Sequence, residues 1–271
     1  KNMTDRREWK CALSVGWGAM NEKSFCELRD SGICELELSS GDLAPFYDKL
    51  DFVHRAGEIT KTAKSCGVNI SSVHLPFAPF GEIDPASLDP AKRDYAVRVQ
   101  SELLHAAGEG GIGIAVIHPS GEPYREDERA ERMKAAVDTI AKIEEAAHES
   151  GVTLALENLP RTCLCRTHVE MAQFLDSIPR LRVCFDMNHS LTEQNEDYIA
   201  AVADKIVTLH VSDYDRVDER HWLPGKGVND WEKLISLLEE KNYCGRWLYE
   251  LRGGEAEYSE VYENYRELLL K

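Results

Sequence analysis

The sequence predicts a single (β/α)8 TIM barrel, because eight short apolar segments alternate with eight helix-like segments along its 271 residues. Apolar runs of about four to eight residues are typical of buried parallel strands. Glycines that follow helix-like segments, such as Gly32, Gly67 and Gly151, mark where those helices end. With 43% apolar residues the chain can bury the core of one barrel, so we expect one domain over residues 1–271.

The elements follow one another in strand and helix pairs. The predicted strands lie near residues 10–15, 33–38, 69–74, 112–118, 152–157, 181–186, 205–210 and 246–251. The predicted helices lie near residues 21–31, 49–66, 90–109, 126–150, 167–177, 194–203, 231–241 and 257–270. The longest loops follow the third, fourth and seventh strands, on the face of a barrel where catalytic loops gather. We therefore expect these loops to cover a substrate rather than to separate domains.

The overall charge bears on the kind of partner that the chain binds. Its formal net charge is −16, which repels a phosphate backbone, because nucleic-acid binding normally depends on clustered Lys and Arg. We therefore expect a small-molecule partner rather than a nucleic acid. No apolar stretch reaches the roughly 20 residues that a membrane span needs, so no membrane association is expected.

The cysteines bear on the compartment. The chain has eight cysteines, and Cys11, Cys34 and Cys184 lie in or beside apolar strand runs, where thiols serve as small hydrophobic side chains. This distribution is not that of a disulfide framework, so a cytoplasmic location is expected.

Potential metal ligands end six of the apolar runs: His74, His118, Glu157, Asp186, His210 and Glu250. The last four end the fifth to eighth strands, and the C-terminal ends of barrel strands meet at one mouth. Three carboxylates there repel one another unless a cation neutralises them, and carboxylates with imidazole suit a divalent ion such as Mn, Co, Zn or Mg. The sequence therefore predicts a metal site of Glu157, Asp186, His210 and Glu250. The alternative is that each residue only ends a strand or pairs with a basic neighbour.

Several motifs carry a resemblance to a known superfamily. They are "LALENLP" at 154–160, "CFDMNH" at 184–189, "LHVSDYDR" at 209–216, "RHWLPGKGVNDW" at 220–231 and "LYEL" at 248–251. Their order and spacing resemble the xylose isomerase-like superfamily of TIM barrels. That superfamily contains sugar isomerases, ketose 3-epimerases, inosose dehydratases and abasic-site nucleases of the endonuclease IV type.

The resemblance implies roles for the predicted ligands. Glu157 and Glu250 resemble the carboxylates that bind the metal and also act as acid and base on opposite sides of a sugar. His189 resembles a histidine that contacts a substrate oxygen in the ketose epimerases, and Arg216 resembles their substrate-holding arginine. The same resemblance makes homo-oligomers common.

The nuclease branch of the superfamily implies additional ligands. His74 and His118 resemble two histidines that share a metal with the counterpart of Glu157. Glu219 and His221 resemble an acid-x-His pair that binds a further metal, although the usual acid is Asp. The alternative is that His74, His118 and His221 contact substrate hydroxyls.

The resulting hypothesis is a metal-dependent sugar or sugar-phosphate isomerase or epimerase that transfers a proton through an enediolate. The alternatives are an endonuclease IV-like abasic-site nuclease with several zinc ions, a sugar dehydratase, and a non-catalytic sugar-binding barrel that kept the ligands but lost turnover. Trp17, Phe77 and Trp222 follow strand ends and are candidates for stacking on a sugar. Glu37, near the end of the second strand, either contributes to the site or pairs with a basic residue.

Overall fold

The computed structural model of the protein describes residues 3–16, 20–39 and 51–271, with the backbone alone at 51–54. Its strands are β1 Cys11–Gly16, β2 Glu35–Ser39, β3 Asn69–His74, β4 Ile114–Ile117, β5 Thr153–Glu157, β6 Arg182–Asp186, β7 Ile206–His210 and β8 Trp247–Tyr249. Its α-helices are α1 Glu22–Asp30, α2 Asp51–Ser65, α3 Pro90–Glu109, α4 Arg129–Glu149, α5 His168–Ser177, α6 Asn195–Val202, α7 Trp231–Glu240 and α8 Tyr258–Leu269.

The strands form one parallel sheet in the order β7-β6-β5-β4-β3-β2-β1-β8. The two outer strands of this order meet through a parallel bridge between Val211 and Tyr249. There the Val211 N–H donates to the Leu248 carbonyl, and the Glu250 N–H donates to the Val211 carbonyl. The sheet therefore curves back on itself, and the predicted (β/α)8 barrel is confirmed.

The outer face of the barrel is covered by helices that bury one apolar stripe each, as α7 illustrates. Its buried residues are Trp231, Leu234, Ile235 and Leu238, a spacing that places them on one face of a helix. Asp230 caps the helix, its side chain accepting the Lys233 N–H at 3.1 Å. Each fully buried Leu or Ile contributes about 1.5–3 kcal/mol relative to exposure, so the stripe fixes the helix against the sheet.

The interior of the barrel holds a small apolar layer of Val116, Ala155 and Cys184, which form a buried cluster separate from the main core. Each of them lies two residues before a predicted metal ligand. Since side chains alternate between the two faces of a strand, residues two apart point the same way. The barrel interior therefore carries an apolar layer, and the predicted ligands lie directly beyond it at the C-terminal mouth.

Some element boundaries differ from the prediction. β4 ends at Ile117, its last residue paired with β5, and β8 ends at Tyr249, so His118 and Glu250 each lie one residue beyond a strand. The predicted helix at 126–150 opens with a 3-10 turn over Glu126–Glu128 before α4 begins. Residues 49–50 of the predicted second helix lie outside the described residues.

Other expectations concern the environment of the protein. Within the described ranges, none of the helices is both long and apolar enough to cross a membrane. All eight cysteines fall in the described part and are free thiols. A single domain over 1–271, a cytoplasmic location and homo-oligomer formation stay predictions.

Candidate active site

Four predicted ligands lie together at the C-terminal mouth of the barrel. The ligand atoms of Glu157, Asp186, His210 and Glu250 are all within 4.8 Å of one another. Nδ1 of His210 lies 3.0 Å from Oε1 of Glu157, 3.4 Å from Oε2 of Glu250 and 3.7 Å from Oδ2 of Asp186. One imidazole nitrogen thus faces three carboxylates, as expected where one cation has several ligands.

The second nitrogen of His210 faces another carboxylate. Nε2 donates to Oε1 of Glu37 at 3.0 Å, and both side chains are fully buried. Burial opposes a positive charge on His210, but Cys184 and the surrounding carboxylates outweigh it and raise the pKa of His210 well above its usual value. Without another cation, a protonated His210 supplies the positive charge that the carboxylates need.

The two carboxylate oxygens of Asp186 differ in their hydrogen bonding, and the difference bears on whether these side chains fit a metal. One oxygen, Oδ1, accepts the Asn188 N–H at 2.6 Å. The other, Oδ2, is buried and has no hydrogen-bond partner. Burial raises the pKa of Asp186 to about 7, and the nearby Glu250 adds to this effect. A buried carboxylate oxygen without a partner is rare and needs an explanation, and a divalent cation held by these four side chains would supply one.

A second group of potential ligands shares Glu157. Nε2 of His74 and Nε2 of His118 lie 3.0 and 3.1 Å from Oε2 of Glu157. Nδ1 of His74 donates to the Leu75 carbonyl at 2.9 Å, which leaves Nε2 to face the carboxylate. Burial opposes the charge of Glu157, but His210 and His118 lower its pKa well below the usual value.

A third group consists of His189, Glu219 and His221. Nδ1 of His189 donates to the Asn158 carbonyl at 2.9 Å, and Nε2 lies 3.1 Å from Oε2 of Glu219. Nδ1 of His221 donates to the Glu250 carbonyl at 3.2 Å, and Nε2 lies 4.0 Å from Oε2 of Glu219. As in His74, each of these two imidazoles has one nitrogen tied to a backbone carbonyl and the other turned toward a carboxylate. Such tethers orient metal-binding histidines.

Two asparagines that sequence reasoning did not single out hydrogen-bond to the backbone of predicted ligands. The side chain of Asn158 donates to the Asp186 carbonyl at 2.9 Å and accepts the Asp186 N–H at 2.7 Å. Oδ1 of Asn188 accepts the N–H groups of Arg220 and His221 at 2.9 and 3.1 Å. The signal was present, since each asparagine lies within two residues of a predicted ligand.

A cavity of about 210 Å³ opens above these groups, enough for a small molecule. Its wall includes Phe77, whose ring stacks on His118 with centroids 4.3 Å apart and planes 16° apart. Phe80 continues this wall and stacks on Phe77 at 6.1 Å. The cavity therefore has an aromatic side, and the role of Phe77 in stacking on a sugar stays a prediction.

The charged lining of the cavity is mainly acidic. Glu122, Glu157, Glu219 and Glu250 all contribute to it. Arg161, from the loop after β5, also lines the cavity and forms ion pairs with Glu122, with Asp218 at 2.6 Å and with Glu219 at 2.9 Å. These pairs join the loops that follow β4, β5 and β7 around the opening.

Other predicted substrate contacts lie elsewhere. The guanidinium of Arg216 donates to the Gln194 side chain and, at 2.9 Å, to the Glu193 carbonyl, so it does not line this cavity. Trp222 pairs through its backbone with Asp213 and does not line the cavity either. Trp17 lies outside the described residues. The role of Arg216 as a substrate contact stays a prediction.

Comparison with known protein families decides the relationship that the motifs suggested. A family model described as the xylose isomerase-like TIM barrel matches residues 29–268. The chain belongs to this family. The resemblance seen in the sequence motifs is therefore confirmed.

The relatives of this xylose isomerase-like protein include one named as an epimerase and one named as an isomerase. L-ribulose-5-phosphate 3-epimerase from Escherichia coli K12 is 26% identical over 176 residues, which are 63% of this chain and 61% of that enzyme. Inosose isomerase from Halalkalibacterium halodurans is 26% identical over 135 residues, 45% of this chain and 48% of that enzyme. The chain thus spans less than two thirds of the length of the curated relatives it matches.

Solved structures resemble the barrel over nearly its whole length. D-psicose 3-epimerase with D-tagatose, from Clostridium cellulolyticum H10, is 19% identical with a TM-score of 0.75, covering 96% of this chain and 91% of that one. At this identity the likeness concerns the fold alone. A protein from Thermus thermophilus, solved after soaking with ZnCl2, is 25% identical with a TM-score of 0.71, covering 96% of this chain and 97% of that one.

Proposed function

We propose that this protein is a metal-dependent sugar or sugar-phosphate isomerase or epimerase that transfers a proton through an enediolate. The observation that carries the proposal is the placement of two glutamates, Glu157 and Glu250, 3.0 and 3.4 Å from the same nitrogen of His210. Both glutamates also line the cavity. The epimerase and isomerase among the named relatives support this class of reaction.

The two glutamates would share the proton transfer. Glu250 is the more accessible, with 21% of its side chain exposed against 1% for Glu157. One carboxylate removes the proton from the carbon beside a ketose carbonyl, and the other returns a proton from the opposite face. Return to the same carbon gives an epimer, and return to the adjacent carbon gives an aldose–ketose isomer.

The surrounding side chains would bind and orient the sugar. His74, His118, His189 and His221 line the cavity with ring nitrogens that can hydrogen-bond to hydroxyl groups. Phe77 would pack against an apolar face of the sugar and keep water away from the reacting carbons. These contacts hold the reacting carbon against the carboxylates, which is where much of the rate enhancement of such a site arises.

The proposed metal site is the group of Glu157, Asp186, His210 and Glu250, with Mn, Co, Zn or Mg as candidate ions. A divalent ion held there supplies Lewis-acid stabilisation of the negative charge that develops on the substrate oxygen. The unpartnered oxygen of Asp186 supports this assignment. Further metals at His74 and His118, or at Glu219 and His221, remain alternatives to substrate binding by the same histidines.

The charge of the protein and the reactions of the named relatives support sugar chemistry over the nuclease alternative. A net charge of −16 and an acidic cavity lining oppose DNA binding. The dehydratase alternative uses the same residues and differs only in the loss of a hydroxyl, so the products of the reaction distinguish it.

In the test, Mn²⁺-loaded protein is incubated in heavy water with a panel of ketoses and their phosphates. NMR then measures how much deuterium each sugar has incorporated. We expect exchange at the carbon beside the carbonyl and a loss of at least about 100-fold in Glu157→Gln and Glu250→Gln. Glu35→Gln is the matched control, because Glu35 is a buried carboxylate at the opposite end of β2, paired with Lys10 and Arg246. Unchanged rates in both active-site variants, or no exchange with any sugar, would remove the proposal. Incision of abasic DNA without exchange would favour the nuclease.

A further inference from the structure

Glu37 is a fully buried carboxylate in the barrel interior that the proposed reaction does not use. Its Oε1 accepts the Ser14 hydroxyl at 3.1 Å and Nε2–H of His210 at 3.0 Å. Its Oε2 accepts the Ser72 hydroxyl at 2.9 Å. Over the described ranges no Lys or Arg forms an ion pair with Glu37, and the basic residue with which it pairs is His210.

Both nitrogens of His210 face carboxylates, and the protonated ring donates to Glu157 from Nδ1 and to Glu37 from Nε2. The contacts of Glu37 determine which nitrogen keeps its hydrogen once the ring loses one. An ionised carboxylate can only accept hydrogen bonds, so the nitrogen that faces Glu37 must be the donor. Two serine hydroxyls hold the carboxylate from β1 and β3, which fixes the direction in which it faces the ring. In the neutral imidazole the lone pair is then on Nδ1, the nitrogen that lies 3.0–3.7 Å from the carboxylates of Glu157, Glu250 and Asp186.

We propose that Glu37 is a positioning residue for the metal centre, which holds His210 in the Nε2–H tautomer so that Nδ1 is free to bind the ion. The inference rests on the proposed metal dependence. A carboxylate behind a metal-bound histidine fixes the ring orientation and makes the ligating nitrogen more basic. Glu37 belongs to β2, whereas the four proposed ligands belong to β5–β8 or follow them, so the support crosses the barrel.

The experiment measures metal affinity rather than turnover. Protein stripped with a chelator is titrated with Mn²⁺ by calorimetry for wild type, Glu37→Ala, Glu37→Gln and the control Glu35→Gln. We expect Kd to rise about 10–100-fold in Glu37→Ala, to rise less in Glu37→Gln, whose amide oxygen still accepts Nε2–H, and to stay unchanged in Glu35→Gln. Thermal unfolding of each stripped variant separates loss of the fold from loss of affinity.

A measurement on the wild type keeps the inference testable where Glu37→Ala fails to fold. Histidine ¹⁵N NMR of the Zn²⁺-loaded protein is expected to show His210 protonated at Nε2 and bound through Nδ1. Binding through Nε2, or an affinity in folded Glu37→Ala equal to that of wild type, would overturn the inference. A wild-type protein that binds no metal would instead overturn the proposed metal dependence.

Discussion

Replacing Asp186 with asparagine should stabilise the metal-free protein and at the same time abolish its response to metal. Asp186 is fully buried, and its Oδ2 has no hydrogen-bond partner. Burial raises its pKa from 3.8 to about 7, so ionisation at higher pH costs the folded state free energy that the unfolded chain does not lose. An asparagine of nearly the same shape carries no charge at any pH.

The size of the effect follows from the shift in pKa. A difference of roughly three units corresponds to about 4 kcal/mol at a pH above 7, which is an upper limit for the gain. The buried amide of asparagine loses part of this gain, so we expect about 1–3 kcal/mol. For a chain of this size each kcal/mol raises Tm by about 2–4 °C.

The stability that Asp186 contributes to the folded protein depends on pH. The raised pKa means that the folded chain binds the Asp186 proton more tightly than the unfolded chain does. The stability that results is fully present below about pH 4. It is lost as the pH rises through about 7. The advantage of Asp186→Asn over wild type should therefore be largest near pH 8 and should shrink toward pH 5.

The assay is urea and thermal unfolding of chelator-treated wild type and variant at both pH values, repeated with saturating Mn²⁺. Ligand at about 100 times Kd stabilises a folded protein by about 2.7 kcal/mol, a gain that wild type should show and Asp186→Asn should lack. A metal-free variant no more stable than wild type near pH 8, or one that retains the full metal response, would contradict this prediction.

Asp213 provides the matched control, because it is another fully buried aspartate at the end of the barrel but has satisfied oxygens. Its Oδ1 accepts the N–H groups of Tyr214 and Asn229, and its Oδ2 accepts the Gly225 N–H and the Trp231 indole N–H, all at 2.9–3.1 Å. In Asp213→Asn an amide NH2 group replaces one of these oxygens and faces N–H groups that can only donate. The substitution should therefore destabilise the protein by about 2–5 kcal/mol at either pH. The two substitutions should therefore change stability in opposite directions near pH 8.

Three further predictions concern the same site. Asn158→Ala removes two buried hydrogen bonds to the Asp186 backbone and should cost about 2–5 kcal/mol in urea unfolding; a cost below about 0.5 kcal/mol would contradict this role. Metal binding near pH 7 should release protons, because the raised pKa of His210 keeps Nδ1 protonated in the metal-free protein; calorimetry in buffers of different ionisation enthalpy measures the number, and zero release would refute it. Free ketoses should exchange deuterium faster than their phosphates. Among the described residues, Arg161 alone of the Lys and Arg side chains lines the cavity, and its ion pairs with carboxylates leave it less able to bind a phosphate. A preference for phosphates in the NMR panel would refute this.

The fold and the convergence of Glu157, Asp186, His210 and Glu250 could be predicted because both follow from strand periodicity. A short apolar run that ends in Glu157, Asp186 or His210 fixes the strand, its end and, through alternation, the face on which the last side chain lies. Parallel strands then bring those ends together. Glu250 follows the same logic one residue beyond its strand.

The supporting contacts could not be predicted in this way, because they depend on loop conformations that bring distant residues together. Arg161 meets Asp218 and Glu219 only after the loops following β5 and β7 have folded against each other. The spacing of Arg216 from His210 likewise left open which groups its guanidinium contacts, which are Gln194 and Glu193. Local sequence fixes the position of such a residue along the chain and leaves the direction of its side chain open.

The arrangement of charge inside the barrel connects stability with the proposed chemistry. Glu37, Glu157 and Asp186 are all buried in the barrel, where ionised carboxylates are costly unless they are paired. In the metal-free protein, His210 touches two of them at 3.0 Å and supplies the positive charge. A divalent ion bound at Nδ1 would replace the single positive charge of the Nδ1 proton with two. The oxygen of Asp186 that has no hydrogen-bond partner would then bind the ion. The same carboxylates that destabilise the metal-free barrel would therefore make metal binding favourable. A substitution of one of these carboxylates should thus change both the stability of the metal-free protein and its affinity for metal.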